Sequence, residues 1–181
     1  MRVEGTPGRG RRISTGSGGS GRVGSFMRRT PGRRRRRRRD DVAVVDASVV
    51  DKWYIPERDH EAARDHRDAY LDGHHDLLAP SLLPFEVINA LEFSGHYDGD
   101  RLREASRTLP EYGLEFVPYR AAGPVAAVAQ DLNVTISDAS YVSLASTRNG
   151  TLYTADTELL DAANRGQYSG ETAHIRAYES T

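Results

Sequence analysis

The sequence predicts an α/β protein with three layers: a central, mostly parallel sheet covered by helices on both faces. Three observations carry this. Short apolar runs of strand length (Val42–Val45, Leu77–Ala79, 114–119, 151–156 and 173–178) alternate with segments of helical spacing. The first run, VAVV, contains no polar residue, as suits a strand buried on both faces. Helices separate the strands throughout, which is the pattern of parallel pairing through crossovers.

The elements follow in order. Ser48–Ile55 predicts a short helix stopped by Pro56. Glu57–Asp72 is polar with alanines, a surface helix broken at Gly73, with His74 and His75 read as a polar loop. Leu77–Ala79 is a second strand ending at Pro80. LPFEVINALEF, residues 83–93, has helical spacing, and Pro84 falls in the first turn where it is tolerated. Asp100–Leu109 is a further helix, capped by Asp98 or Asp100. After the strand 114–119 comes an Ala/Val-rich helix, Pro124–Leu132. Ser137 is placed as an N-cap with a helix from Asp138 onward. The strand 151–156 ends on an aspartate, Thr157–Asn164 is a helix closed by Gly166, and 173–178 is the last strand.

Charge divides the 181 residues into two parts. Residues 1–41 carry 14 arginines against three acids, a net of +11; residues 42–181 carry 11 basic and 23 acidic residues, a net of −12. The first part is a Gly/Ser/Arg-rich segment culminating in Arg33–Arg39, too poor in apolar residues to offset the entropy of ordering, and is expected to be a disordered tail. Two readings of it stand: a nucleic-acid-binding arm, or an upstream-translated extension, with Met27 as an alternative start. The second part, 42–181, is long enough for one domain. The absence of cysteine excludes disulfides and thiolate metal sites and agrees with a reducing cytoplasm, the expected location. No apolar stretch reaches the roughly 20 residues that cross a bilayer, so no membrane association is expected.

The chemistry lies in four acids. Asp46 ends the first strand and Asp156 ends another, and in parallel sheets ligand groups collect at that edge. Asp138 falls in the first turn of its helix. Glu86 shares a helix face with Asn89, Ala90 and Phe93, read as an inward-looking apolar stripe. Each has a plainer alternative: Asp46 and Asp156 as helix caps, Asp138 as a charge favoured at a helix N-terminus. Glu86 resists such a reading, because a carboxylate on an apolar face has a desolvation cost. Four converging carboxylates would repel by about 4 kcal/mol per 4 Å pair at an effective dielectric of 20. A divalent cation removes that repulsion, and all-oxygen ligands suit Mg²⁺ or Mn²⁺. Other chemistry finds no support: no Gly-rich phosphate loop follows a strand, the six histidines form no metal-spaced pair, and no serine sits in a nucleophile elbow.

The blocks VVDASVVDKWYIPE, LLAPSLLPFEVINAL, ISDASYVSLAS and LYTADTELL resemble, in order and spacing, the signature blocks of the PIN-domain family, in particular its VapC-like branch of type II toxins. The resemblance spans about residues 42–178. It implies an α/β/α ribonuclease whose Asp46, Glu86, Asp138 and Asp156 hold Mg²⁺ or Mn²⁺ and cut RNA phosphodiesters. It also implies supporting roles for Ser48, Asn89 and Thr154, and a cognate antitoxin as partner. A homodimer is common in the family, although no seam is legible here. Where many relatives carry Tyr before the third acid, this chain has Ser137. Lys52, the body's lone lysine, is a candidate phosphate contact, with a solvent-facing helix lysine as the alternative. Trp53 and Tyr54 either line the antitoxin groove or belong to the core. The rival function is a PIN-like module that binds RNA or protein without cutting.

Overall fold

The structure, a computed structural model, describes residues 42–119 and 122–178; the predicted tail, 1–41, lies outside them. Five strands form one sheet: β1 (Val42–Val45), β2 (Asp76–Pro80), β3 (Glu115–Val117), β4 (Thr151–Thr154) and β5 (Thr172–His174). Their order is β3-β2-β1-β4-β5, and every neighbouring pair is parallel. The helices are α1 (Ala47–Tyr54), α2 (His60–Leu71), α3 (Leu83–Phe93), α4 (Gly99–Thr108), α5 (Ala122–Leu132), α6 (Ile136–Arg148) and α7 (Thr157–Arg165). Among the described residues none of them is long and apolar enough to cross a membrane.

The three-layer expectation holds. Helix α1 packs on α2 and α3, and α3 on α4; on the other side α6 lies across β1, β2 and β4, with α5 over it and α7 beside β4 and β5. The all-apolar strands supply the middle layer: Val42–Val45, Leu77–Ala79 and Leu152 are buried between Val49, Val50 and Trp53 of α1, Leu83, Val87 and Leu91 of α3, and Ala139, Val142 and Ala145 of α6. Register then places the site. Val45 is opposite Tyr153, and the Asp46 N–H reaches the Tyr153 carbonyl at 3.4 Å, so Asp46 and residues 154–156 emerge together at the carboxyl edge.

Several local expectations are corrected. Helix α6 begins at Ile136, capped by Thr135, whose Oγ1 accepts from the Asp138 N–H at 3.1 Å; Ser137 is inside the first turn. The last strand stops at His174 and gives way to a 3-10 turn, Ile175–Ala177. The core face of α3 is Leu83, Val87 and Leu91, whereas Asn89 is exposed and Phe93 is 79% exposed. The Glu86 stripe therefore runs along the margin of the helix rather than into the core. Trp53 is a core residue, its indole N–H bound to the Ala63 carbonyl at 3.0 Å, while Tyr54 is half-buried.

Between α6 and β4 the chain turns through Asn149, in the left-handed region at φ 50°, and then Gly150. A Cβ on Gly150 would lie 2.7 Å from the Val42 carbonyl oxygen and 2.9 Å from its side chain. Backbone cannot yield as a side-chain tip can, so Gly150→Ala is expected to cost about 1–3 kcal/mol. A lower denaturant midpoint at unchanged slope is the measurement that checks it.

Candidate active site

Asp46 is set by the strand-to-helix joint. It leaves β1 and caps α1, with Oδ1 accepting from the Val49 N–H (3.2 Å) and the Ser48 hydroxyl (2.6 Å). It is only 5% exposed. Burial pushes its carboxyl up to about 6, against the opposing effects of the Ser48, Thr154 and Val49 hydrogen bonds; the charge of Asp156 pushes further upward. Ser48 ties this joint to β4: its Oγ accepts from the Ala155 N–H at 2.9 Å and lies 3.5 Å from the Thr154 hydroxyl. Thr154 is fully buried and accepts from the Asp156 N–H at 2.9 Å. Ser48→Ala removes a donor from Asp46 and strands the Ala155 N–H, and is expected to lower stability by about 1–2 kcal/mol in denaturant unfolding.

The other acids are held differently. Glu86, half-buried in the first turn of α3, accepts from two hydroxyls of α6: Ser137 on Oε1 and Tyr141 on Oε2. Tyr141 is buried, and burial together with this carboxylate pushes its phenol well above the ordinary range. Asp138 is half-buried and accepts on Oδ2 from the Thr135 hydroxyl at 2.7 Å, a reciprocal cap. Asp156 is exposed and caps α7, its Oδ1 accepting from the Glu158 (2.8 Å) and Leu159 (3.2 Å) N–H groups. Asn89 stands exposed one turn after Glu86. Lys52 is bonded through Nζ to Glu57 Oε1 at 2.6 Å, and its side chain is only 11% exposed, so it is not the solvent-facing lysine of the plainer reading.

Electrostatics shows which acids sense one another. Asp46 feels Asp156, and a further carboxylate, Asp51 on α1, feels Asp46, Glu57 and Glu86. Asp138 sits one residue after the Glu86-binding Ser137, but its own carboxylate is taken up by Thr135. Among the described residues, no three His, Asp or Glu side chains are gathered tightly enough to hold one ion as they stand. The donor chemistry nonetheless suits a hard divalent cation: all oxygens, one desolvated carboxylate at Asp46, and a buried Asp51 Oδ1 without a hydrogen-bond partner.

Alongside Glu86 runs a mainly apolar cleft of about 850 Å³ between the ends of β2 and β3 and helices α3, α5 and α6. Phe85, Tyr119 and Ile136, all exposed, line it.

The family profile of the PIN domain matches residues 43–165, from β1 to the end of α7. The chain belongs to the PIN domain family. PIN domains are generally nucleases and generally use divalent metal ions. Solved structures agree in fold. PAE2754 from Pyrobaculum aerophilum is 25% identical with a TM-score of 0.54, over 74% of this chain and 83% of that one. FitAcB from Neisseria gonorrhoeae is 16% identical with a TM-score of 0.53, over 75% and 99%. FitAB bound to an IR36 DNA fragment is 15% identical with a TM-score of 0.55, over 76% and 98%. No curated protein matches the sequence.

Beyond the four acids expected from the sequence, this PIN domain has features that motif reading missed. Tyr141 and Ser137 hold Glu86 across 55 and 51 residues, a pairing with no local signature. The Thr135–Asp138 cap did have one, a hydroxyl followed three residues later by an acid. Asp51 was legible only as the residue one turn after Ser48.

Proposed function

We propose that the protein is a Mg²⁺- or Mn²⁺-dependent endoribonuclease, the toxin of a type II toxin–antitoxin pair of the VapC-like branch. The observation that carries this is Asp46: a buried, desolvated carboxylate at the carboxyl edge of a PIN-domain sheet, fixed by Ser48 and Val49. Asp46, Glu86, Asp138 and Asp156 would hold the cation. A bound cation supplies an acidified water and counters negative charge on the phosphate. The chain's own part is positional. Ser48 and Thr154 fix Asp46 against β4, Ser137 and Tyr141 orient Glu86, and Thr135 orients Asp138. Exposed Phe85 and Tyr119 beside Glu86 offer rings on which unpaired bases stack. An antitoxin that also binds DNA matches the neighbour FitAB, solved on a DNA fragment.

The −12 body is a poor electrostatic match for RNA. A bound cation reverses the field locally, and the Arg-rich tail, residues 1–41, adds attraction where it is translated. The spacing of the acids gives the rival, a non-cutting RNA- or protein-binding module, its one specific support. Incubating labelled RNA with the protein in Mn²⁺ and in EDTA separates them. Cleavage that needs Mn²⁺ supports the nuclease; RNA bound but left uncut in both supports the module.

A further inference from the structure

We propose that residues 176–178, which follow β5 and the buried Ile175, form a strap over the His66–His75 pair that opens locally in acid while the core stays folded. The inference is independent of the nuclease reading. One ring closes the strap. Tyr178 stands edge-on to His66 of α2 (4.6 Å between centroids), to Tyr153 of β4 (5.6 Å) and, more obliquely, to His75 before β2 (5.8 Å). Beneath it His66 is fully buried with neither ring nitrogen partnered, and His75 Nε2 is buried without a partner as well. Buried polar atoms ordinarily find partners, so keeping these rings covered has a cost that opening relieves. The cluster also backs the candidate site, since Tyr153 lies opposite Val45 and its carbonyl accepts the Asp46 N–H.

A third imidazole makes the strap labile to acid at its other end. The Arg176 N–H donates to Nδ1 of His174 at 3.1 Å, and an imidazole protonated there has no lone pair left to accept it. What holds the strap without titrating is the fork of Arg176 on Asp59, with Nε 2.5 Å from Oδ1 and the second nitrogen 2.9 Å from Oδ2. Arg176 keeps the Asp59 carboxyl below its ordinary range, so the fork stays charged where imidazoles titrate. Burial lowers all three histidines. His75 adds to this at His66, His74 at His75 and Arg176 at His174, while Asp76 opposes it at His75 and Asp59 at His174. Tyr70 of α2 borders His75 at 6.2 Å. Closed, the rings remain neutral; opened, they return toward the ordinary 6.5 and take up protons below it. Each pH unit below that value therefore favours the open strap by up to about tenfold per uncovered imidazole.

The test is amide hydrogen exchange of the full chain at pH 7.5 and 5.5, corrected for the intrinsic effect of pH, in wild type, His66→Leu and His174→Asn. The reporting amides are Arg176, bonded to His174, and Tyr178, bonded to the Ile175 carbonyl at 3.1 Å. In wild type both are expected to exchange more readily than the core amides of Val44 and Val142 at either pH, and to open about tenfold more often at pH 5.5. Leucine at 66 cannot titrate; asparagine at 174 keeps an oxygen for the Arg176 N–H and cannot titrate either. Each variant is expected to cut the acid response to about a third or less, and one suffices if the other does not fold. A full response in the variants overturns the proposal, as does a wild-type strap that opens equally at both pH values. Strap amides as protected as those of Val44 and Val142 would mean that the turn opens only when the whole chain unfolds, which overturns it as well.

Discussion

Asp46→Asn is expected to lower Mn²⁺-dependent RNA cleavage by about a thousandfold or more, some 4 kcal/mol of transition-state stabilisation, while raising the stability of the metal-free protein. The two effects come from the same carboxylate. Asparagine keeps the shape and an oxygen that accepts from Ser48 and the Val49 N–H, so the joint between β1 and α1 survives. What it removes is the charge. A carboxyl raised from 3.8 to about 6 in the folded state costs stability that is fully felt above pH 6 and disappears below about pH 4. Above pH 6, asparagine should therefore add on the order of 1–3 kcal/mol to metal-free stability. A substitution that stabilises the fold and abolishes cleavage cannot be acting through misfolding. EDTA should reproduce the loss of cleavage in the wild type and change nothing in Asp46→Asn. Cleavage within tenfold of wild type in the variant sinks the assignment of Asp46, whatever the melting curves show.

The parts of the molecule legible in sequence are those governed by local chemistry. VAVV is best read as a strand buried on both faces, and it is β1 with the predicted bounds. LPFEVINALEF carried both helical period and a first-turn proline, and α3 is Leu83–Phe93 as expected. Asp46 and Asp156 proved to be helix caps, the plainer of the two readings weighed for each. Capping does not exclude the other role, since Asp46 is also buried and senses Asp156. What sequence could not carry was distance. The strand order β3-β2-β1-β4-β5 leaves no local trace. Nor does the clasp of Ser137 and Tyr141 on Glu86, which forms only when α3 and α6 meet at the sheet edge. The Glu86 stripe was misjudged for a related reason: helical period defines a face, but the neighbouring elements decide whether that face is inner or marginal.

Histidine illustrates the same limit and supplies the largest expected effect on stability. His74 and His75 read as a polar loop, and His66 as part of a polar helix, yet His66 is fully buried and His75 nearly so. Their rings lie 4.7 Å apart, and His66 also packs on Tyr153 (4.7 Å) and edge-on against Tyr178 (4.6 Å). Neither nitrogen of His66 has a hydrogen-bond partner, nor does Nε2 of His75. Burial, and secondarily His75, pushes His66 down to about 3; burial and His74 push His75 down, against the pull of Asp76. A histidine with a lowered folded pKa is neutral in both states above pH 6.5, so no stability is lost there. As pH falls through 6.5 the unfolded chain takes the proton and the folded one does not, so stability declines until about pH 3, by up to about 1.4 kcal/mol per pH unit. The raised carboxyls of Asp46 and Asp51 act in the opposite direction over pH 7 to 4, so the wild-type profile alone is a compromise. The difference between wild type and His66→Leu isolates the ring. Leucine is of similar volume, needs no hydrogen bond and cannot titrate. The variant is expected to gain on wild type by several degrees in melting temperature per pH unit between pH 6 and 4.5. Parallel profiles over that interval would mean that His66 takes up its proton in the folded protein as readily as in the unfolded chain, and the buried histidine pair would have no part in acid sensitivity.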